Sequence, residues 1–385
     1  MPFDIRQNLR IQYYDTGVSD WVNMECSSYE IDIERGIEIE QNVFARPKVG
    51  IATVKLSKAS LYDLLNAGGP AYKSNNLFRI QCQLAGGGYL NLFNGVIQNY
   101  EMQYNAESKR LDITIVANDF MKIGLNTNIT TFTIAGTTAR SFKSVMAQLA
   151  TAINAIDTRW SLSQAGTGGS STFQTANTFL DISSGELYAQ FLDAELGWMW
   201  SDRDNLARYM TRNDVDALQA LTWAGTSGPT VSNVHSSSAD HVCMDYMNLS
   251  YKSDEIANIA RVTDPTGGIV RTATNTTSVT NFGRQLGEFF IDLDTASGLG
   301  SSYMNWATAV ANAATPRRLA GVSVPMITDA GEISDIVTKD IGDFLRVEFA
   351  STGFTTMQEV TIISSLNHNI TPDHWELNIG LWEGI

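Results

Sequence analysis

Four histidines, a run of close-set aspartates, three cysteines and a set of tryptophans are the residues of this 385-residue chain whose types could carry chemistry. His368 and His374 stand six positions apart around a Pro-containing turn, but no third ligand stands at a recognisable spacing, so both are expected in turn or barrel-rim roles. His235 and His241 fit no metal pattern either. Asp202, Asp204, Asp214 and Asp216 are close enough to attract a hard cation. An EF-hand loop also needs Gly at its sixth position and Glu at its twelfth, and neither is found counting from Asp202 or Asp204, so a solvated turn is expected. HExxH, GxSxG, phosphate-loop and dinucleotide signatures are missing. Glycoside hydrolysis needs a carboxylate pair across a cleft, and no pair stands out among 41 Asp and Glu. Trp198, Trp200, Trp223, Trp375 and Trp382 could stack sugars, but read as packing residues. Strand alternation puts Trp198 and Trp200 on one face, toward the helix that precedes them. Cys26, Cys82 and Cys243 are odd in number and far apart, which reads as buried free thiols. No catalytic, cofactor-binding or metal-binding residue is therefore assigned, and no enzymatic activity is expected.

The elements that would position these residues are mostly strands. Apolar residues make up 43% and charged residues 17% of the chain, a globular composition, and its length calls for two to four domains. The net charge of −15 argues against a surface that grips nucleic acid. It is compatible with a wall past which DNA moves without sticking. The N-terminus lacks a signal-peptide core, and no run of about 18 apolar residues suggests a membrane span. The expectation is synthesis in the cytoplasm, where the protein stays soluble or assembles.

Residues 1–120 read as five to seven strands, among them one long extended run from Trp21 to Ile33, around one short helical turn at Ser60–Asn66. In 121–240, Phe142, Val145, Met146, Leu149, Ala152, Ile153 and Ile156 recur at helical spacing, predicting a helix over 138–156 capped by Thr137 or Thr138. The Gly/Ser-rich stretch 161–178 reads as a loop or mobile insertion. A second helix is expected from Ser183 or Ser184, followed by a strand, an Asp-rich turn and a strand. Residues 241–385 return to extended structure with one helix at 302–314 and a loop over Thr263–Thr277. The chain closes on a meander: Phe344 to Phe349, Gln358 to Leu366, a turn through Asn367–Trp375, and Glu376 to Trp382.

Several of these pieces, in this order, carry a resemblance. Asp340-Ile341-Gly342-Asp343 before a strand, and Ile370-Thr371-Pro372-Asp373-His374-Trp375 before the last strand, resemble the closing β-barrel of phage minor tail proteins, the tail-tip or baseplate hubs. Asn94-Gly95-Val96-Ile97 with a later strand ending Ala117-Asn118-Asp119 resembles the first, tail-tube-like barrel of the same proteins. Glu195, Gly197 and the Asp-rich turn match a further hub segment, with Asn205 in place of the usual glycine; Asn258 and Asn281–Gln285 match two more. The resemblance implies an α+β, β-rich fold: two tail-tube-like barrels, 1–120 and 241–385, with small α/β domains inserted between them over 121–240. It implies a virion protein of the tail tip that caps or extends the tube, anchors receptor-binding or lysin proteins and takes part in the DNA ejection channel. Implied partners are two further copies in a homotrimer, the tail tube or distal tail protein, the tape-measure protein, and DNA only in passing. The alternatives are a distal-tail adaptor or carbohydrate-binding side component, and a cell-wall hydrolase.

Overall fold

Alternation of apolar and charged residues builds the first half of the molecule. The computed structural model describes residues 8–24, 26, 28–40, 44–58, 74–107, 110–134, 140–170, 172–173, 177–233, 241–251, 258–263, 270–290, 317–326, 330–351 and 356–382. Its first strands are β1 (Leu9–Asp15), β2 (Asp20–Asn23), β3 (Ser28–Glu40), β4 (Phe44–Pro47), β5 (Ile51–Lys58), β6 (Leu77–Gln83), β7 (Tyr89–Asn105) and β8 (Arg110–Asn118). On β3, Ile31 and Ile33 are fully buried while Glu30, Asp32 and Glu34 face out. Ala52, Val54 and Leu56 on β5, and Ile113, Ile115 and Ala117 on β8, bury the same face. The strands are antiparallel in the order β3-β5-β8-β7-β6-β1-β2. β2 and β3 are successive in the chain, yet β2 pairs with β1 and β3 with β5. The extended stretch read from sequence as one run from Trp21 to Ile33 is thus two strands that join opposite ends of the order and close it into a barrel.

The middle of the chain makes a separate α/β layer. It comprises α1 (Met121–Asn126), β9 (Asn128–Ile134), β10 (Arg140–Ser141), α2 (Phe142–Asn154), β11 (Leu162–Gln164), β12 (Thr172–Phe173), β13 (Asn177–Ser183), α3 (Ser184–Glu195), β14 (Trp198–Ser201), β15 (Ala207–Met210) and α4 (Arg212–Gln219). Five of the seven apolar positions predicted for α2 are buried; Ala152 is half-buried, and Ile156 lies past the helix end and is 63% exposed. Ser141 caps α2 by accepting from the Ser144 amide; the predicted caps Thr137 and Thr138 lie outside the described residues. Ser183 caps α3 as expected. The glycine-rich stretch starts as ordered structure rather than a loose insertion: β11 runs parallel to β15, and the Gly168 amide donates to Asp214 Oδ1 at 2.5 Å.

The remaining strands are β16 (Thr230–Ser232), β17 (His241–Cys243), β18 (Tyr246–Tyr251), β19 (Ile259–Thr263), β20 (Val270–Thr274), β21 (Leu286–Phe290), β22 (Arg317–Pro325), β23 (Phe344–Phe349), β24 (Met357–Thr371) and β25 (His374–Trp382), with helices α5 (Thr276–Phe282) and α6 (Ala330–Val337). β19, β20 and β21 form a small sheet with α5 beside it, so part of the predicted 263–277 loop is strand and helix. The predicted helices at 60–66 and 302–314 lie outside the described residues. The others close a second ring by the device of the first. β16 pairs with β17 and β23; β24 and β25 follow; β22 pairs with β25 and β18. β17 and β18 are again successive, and the Met244 and Asp245 amides hand over from Ser232 on one side to Ser323 on the other.

β24 connects the two rings. Its first half pairs with β23, a register shift falls between Ile363 and Ser365, and its second half pairs with β3, Leu366 opposite Arg35 and Ile370 opposite Ile31. The crossing is tight: a Cβ on Gly36 would lie 2.6 Å from the Ser365 Cβ, so only glycine fits there. The edge that the terminal meander offers to a neighbouring barrel is therefore the second half of β24, and the neighbour is β3 of the same chain. β25, with Ile379 and Leu381, is an inner strand paired on both sides. The chain is thus a β-rich α+β protein built on one sheet that runs through both rings.

Candidate functional site

Where β3, β14 and the turn before β23 meet, the inward positions stop being apolar. Arg35 follows Ile31 and Ile33 on the buried face of β3 and is 3% exposed. Its Nη2 donates to Asp340 Oδ1 at 2.8 Å, and its Nη1 to the Ser201 carbonyl at 3.4 Å. Asp340 opens the Asp340-Ile341-Gly342-Asp343 turn, closed by the Asp343 amide donating to the Asp340 carbonyl at 3.1 Å. The second oxygen of Asp340 accepts from the Arg203 backbone amide at 3.1 Å and from Arg203 Nε at 3.3 Å. The Arg203 fork continues onto the end of α6, donating to the carbonyls of Val337 at 2.7 Å and Thr338 at 2.9 Å. A cation is favoured there because the last carbonyls of a helix lack partners and carry the negative end of its dipole. Burial alone would push the Asp340 carboxyl up, but the Arg35 and Arg203 guanidiniums outweigh it and hold it below the usual carboxylate range.

Two further titratable groups border this pair. Asp119, 2% exposed at the end of the first ring, accepts from the Met121 amide at 3.1 Å. Burial pushes its carboxyl up to about 7, against the opposing pull of the Gly50 amide and Arg35. His368 lies on β24 opposite Ile33 and is 3% exposed. Burial first, then the positive field of Arg35 and Arg203, pull its imidazole down to about 3, so it is neutral and its Nδ1 accepts from Trp375 Nε1 at 3.3 Å.

His368 is thus a core residue and not the turn residue expected from the sequence. Leu366, His368 and Ile370 continue the inward alternation of β24, which reaches Thr371 and leaves only Pro372–Asp373 for the turn. His374 is half exposed beyond that turn, with Nε2 3.7 Å from Glu376. His235 and the side chain of His241 lie outside the described residues.

The aspartates are separated by their hydrogen bonds. Asp202 Oδ1 accepts from the amides of Asp204 and Leu206, and Oδ2 from Arg208 Nε at 2.8 Å. Asn205 takes the positive φ of 71° in this turn, as the resemblance implies, and its Oδ1 accepts from the Phe120 amide at 2.6 Å. Asp214 instead caps α4, sharing a capping box with Thr211. Among the described residues, no three His, Cys, Asp or Glu side chains gather as a metal would require. Among the described residues the cysteines form no disulfide; Cys82 is fully buried, and burial pushes its thiol up to about 12.

Trp198, Trp200, Trp375 and Trp382 are buried in the core of the rings. Trp198 meets Trp382 edge-on at 4.7 Å, so the meander and the middle layer share an aromatic contact. The expectation that Trp198 and Trp200 pack on the preceding helix is corrected: Met199 takes that side, in the core that holds Leu187 and Phe191 of α3. β14 is buried on both faces, so alternation alone did not say which face met the helix. Trp223 is half-buried under the Arg346 guanidinium, 4.0 Å from its ring centroid.

The sequence missed Arg35, Arg203, Asp340 and Asp119 as a unit. The available signal was Arg35 itself, a charge at an inward position of an alternating strand.

Two solved structures match this arrangement over nearly its whole length. A tail protein from Neisseria meningitidis MC58 matches with a TM-score of 0.63 at 9% identity, covering 98% of each chain. The 43 kDa tail protein of prophage MuSo2 from Shewanella oneidensis matches with a TM-score of 0.58 at 11% identity, again covering 98% of each. No protein-family model and no curated protein matches the chain. The chain has the fold of these tail proteins, as the resemblance read from its sequence implied.

Proposed function

We propose that the chain is a structural subunit of a phage-type tail tip, a hub that caps or extends the tail tube and anchors receptor-binding or lysin proteins. In this reading 1–120 and 241–385 are tube-like barrels and 121–240 supplies the layer between them. The observation that carries it is the passage of β24 from the second ring into β3 of the first. It makes two rings closed by the same device into one rigid wall, and the match to tail proteins extends over both. Three such chains would present six barrels in a ring, matching a six-fold tube. The outward faces of β3 and β25 carry Glu30, Asp32, Glu34 and Glu376, with Lys48 and Lys55 paired to Glu34 and Glu30. A wall of that sign repels DNA and suits a passage in which DNA must not adhere. The buried ion cluster ties the first ring, the middle layer and the terminal meander together, as a collar under mechanical strain requires.

The test is immunogold labelling of purified particles with antibody to this chain, with light scattering of the isolated protein. Label confined to the distal end of the tail and a trimeric mass are expected. Label along the tube, or a hexameric mass, would overturn the hub reading.

A further inference from the structure

On the outer wall of the first ring two guanidiniums stand together. Arg10 on β1 lies over the Tyr89 ring at 3.6 Å, and Arg79 on β6 lies over Trp21 at 4.0 Å. Arg10 is opposite Gln81 and Arg79 opposite Gln12, so the two are diagonal neighbours on one sheet face. Burial lowers the proton affinity of Arg79; Asp20 acts the other way, and Arg10, a smaller influence, adds to the lowering.

Arg79 is held in a set orientation. Its Nε donates to Gln12 Oε1 at 2.7 Å, and Gln12 Nε2 donates to Asn23 Oδ1 at 2.7 Å. Tyr14 packs edge-on against Trp21 at 5.7 Å and fixes the ring beneath. With Nε committed and the plane stacked, the two terminal nitrogens of Arg79 are the edge left for a ligand; among the described residues neither they nor Arg10 has a carboxylate within ion-pair distance. The two guanidiniums set two positive charges side by side on one face, which an anion seated between them would complement.

We propose that Arg79 and Arg10 form a carboxylate-binding site that docks an acidic segment of a neighbouring protein subunit. A planar fork with one free edge matches the two coplanar oxygens of a carboxylate. A polyphosphate chain is disfavoured, because its affinity comes from a run of cations and this face sets only Arg79 and Arg10 side by side, whereas a single carboxylate needs just the fork. Arg and Trp are also the residue types that dominate protein interfaces energetically. The site needs no tail-tip role and stands or falls separately from it.

The test measures binding of the full chain to a (Gly-Glu)5 peptide by calorimetry at low salt, with (Gly-Gln)5 and inorganic phosphate as comparisons. Saturable binding of the acidic peptide alone is expected. Arg79→Gln and Arg79→Lys should each weaken it by about tenfold or more, since lysine keeps the charge but loses the fork. Arg10→Gln, at an exposed position, should weaken it without shifting the unfolding midpoint. Equal binding of (Gly-Gln)5, equal competition by phosphate, or unchanged affinity in Arg79→Lys and Arg10→Gln would overturn the proposal.

Discussion

Arg35 and Asp340 are 305 positions apart in the chain and 2.8 Å apart in the fold. One belongs to the first ring, the other to the turn that launches the terminal meander. Between them they close the molecule on itself, and the consequences can be measured.

Breaking this pair leaves a charge buried without its partner. Arg35→Met or Asp340→Asn alone should each cost about 3–5 kcal/mol of stability. The double variant Arg35→Met with Asp340→Asn should cost clearly less than the sum, because this charge pair then leaves together while Arg203 keeps its carbonyl partners on Val337 and Thr338. Urea unfolding midpoints of the four proteins give the coupling; additive losses would show that the two residues act independently.

Asp119 gives the molecule a stability component that fades toward alkaline pH. Its folded pKa, about 7, lies above the unfolded value, so the folded state binds its proton more tightly. That contribution is fully present below about pH 4 and is lost as pH rises through 7. Asp119→Asn should therefore gain melting temperature relative to the parent at pH 8 and lose that advantage at pH 5. A difference that does not change with pH would argue against the raised pKa.

His368 acts with the opposite sign. Its folded pKa, about 3, lies below the unfolded value near 6.5, so it contributes stability above that value and loses it as pH falls toward 3. His368→Gln should flatten the acid side of the melting profile between about pH 6 and pH 4. Retention of the parent's full acid slope would assign that slope to other groups.

Gly342 has a φ of 83°, and a Cβ there would sit 2.8 Å from the Trp200 indole. Gly342→Ala should lower stability by about 2 kcal/mol or more through backbone strain and overpacking together. Near-UV circular dichroism should show the tryptophan environment disturbed, and an unchanged spectrum and midpoint would mean the turn relaxes freely.

Asn205 separates two readings of one turn. Glycine is the easier residue at a φ of 71°, but the Asn205 side chain accepts from the Phe120 amide at 2.6 Å. Asn205→Gly should therefore destabilise, by about 1 kcal/mol, where a simple turn would gain. Thermal melting distinguishes the two by sign.

The sequence by itself determined the local periods and caps. Alternation placed the strands of both rings, the 3.6-residue spacing placed α2 and α3, and Asn205 could be read as the positive-φ residue of its turn, because each depends on a few neighbouring residues. It also held enough ordered pieces to indicate the tail-protein fold. What the tertiary structure alone decided were the long-range pairings: that the run after Trp21 splits to close a barrel, that β24 leaves one ring for the other at Ser365, and that Met199 rather than Trp198 meets α3. The terminal turn shrank to Pro372–Asp373 and sent His368 inward because β3 offers β24 a second hydrogen-bonding edge, which local residues do not report. Of Asp340, Arg203, Arg35 and Asp119, Arg35 alone carries a local sign of burial, its inward strand position; that the four meet is decided by the fold. A buried charge is tolerable only beside its counter-charge, and here that counter-charge comes from hundreds of residues away.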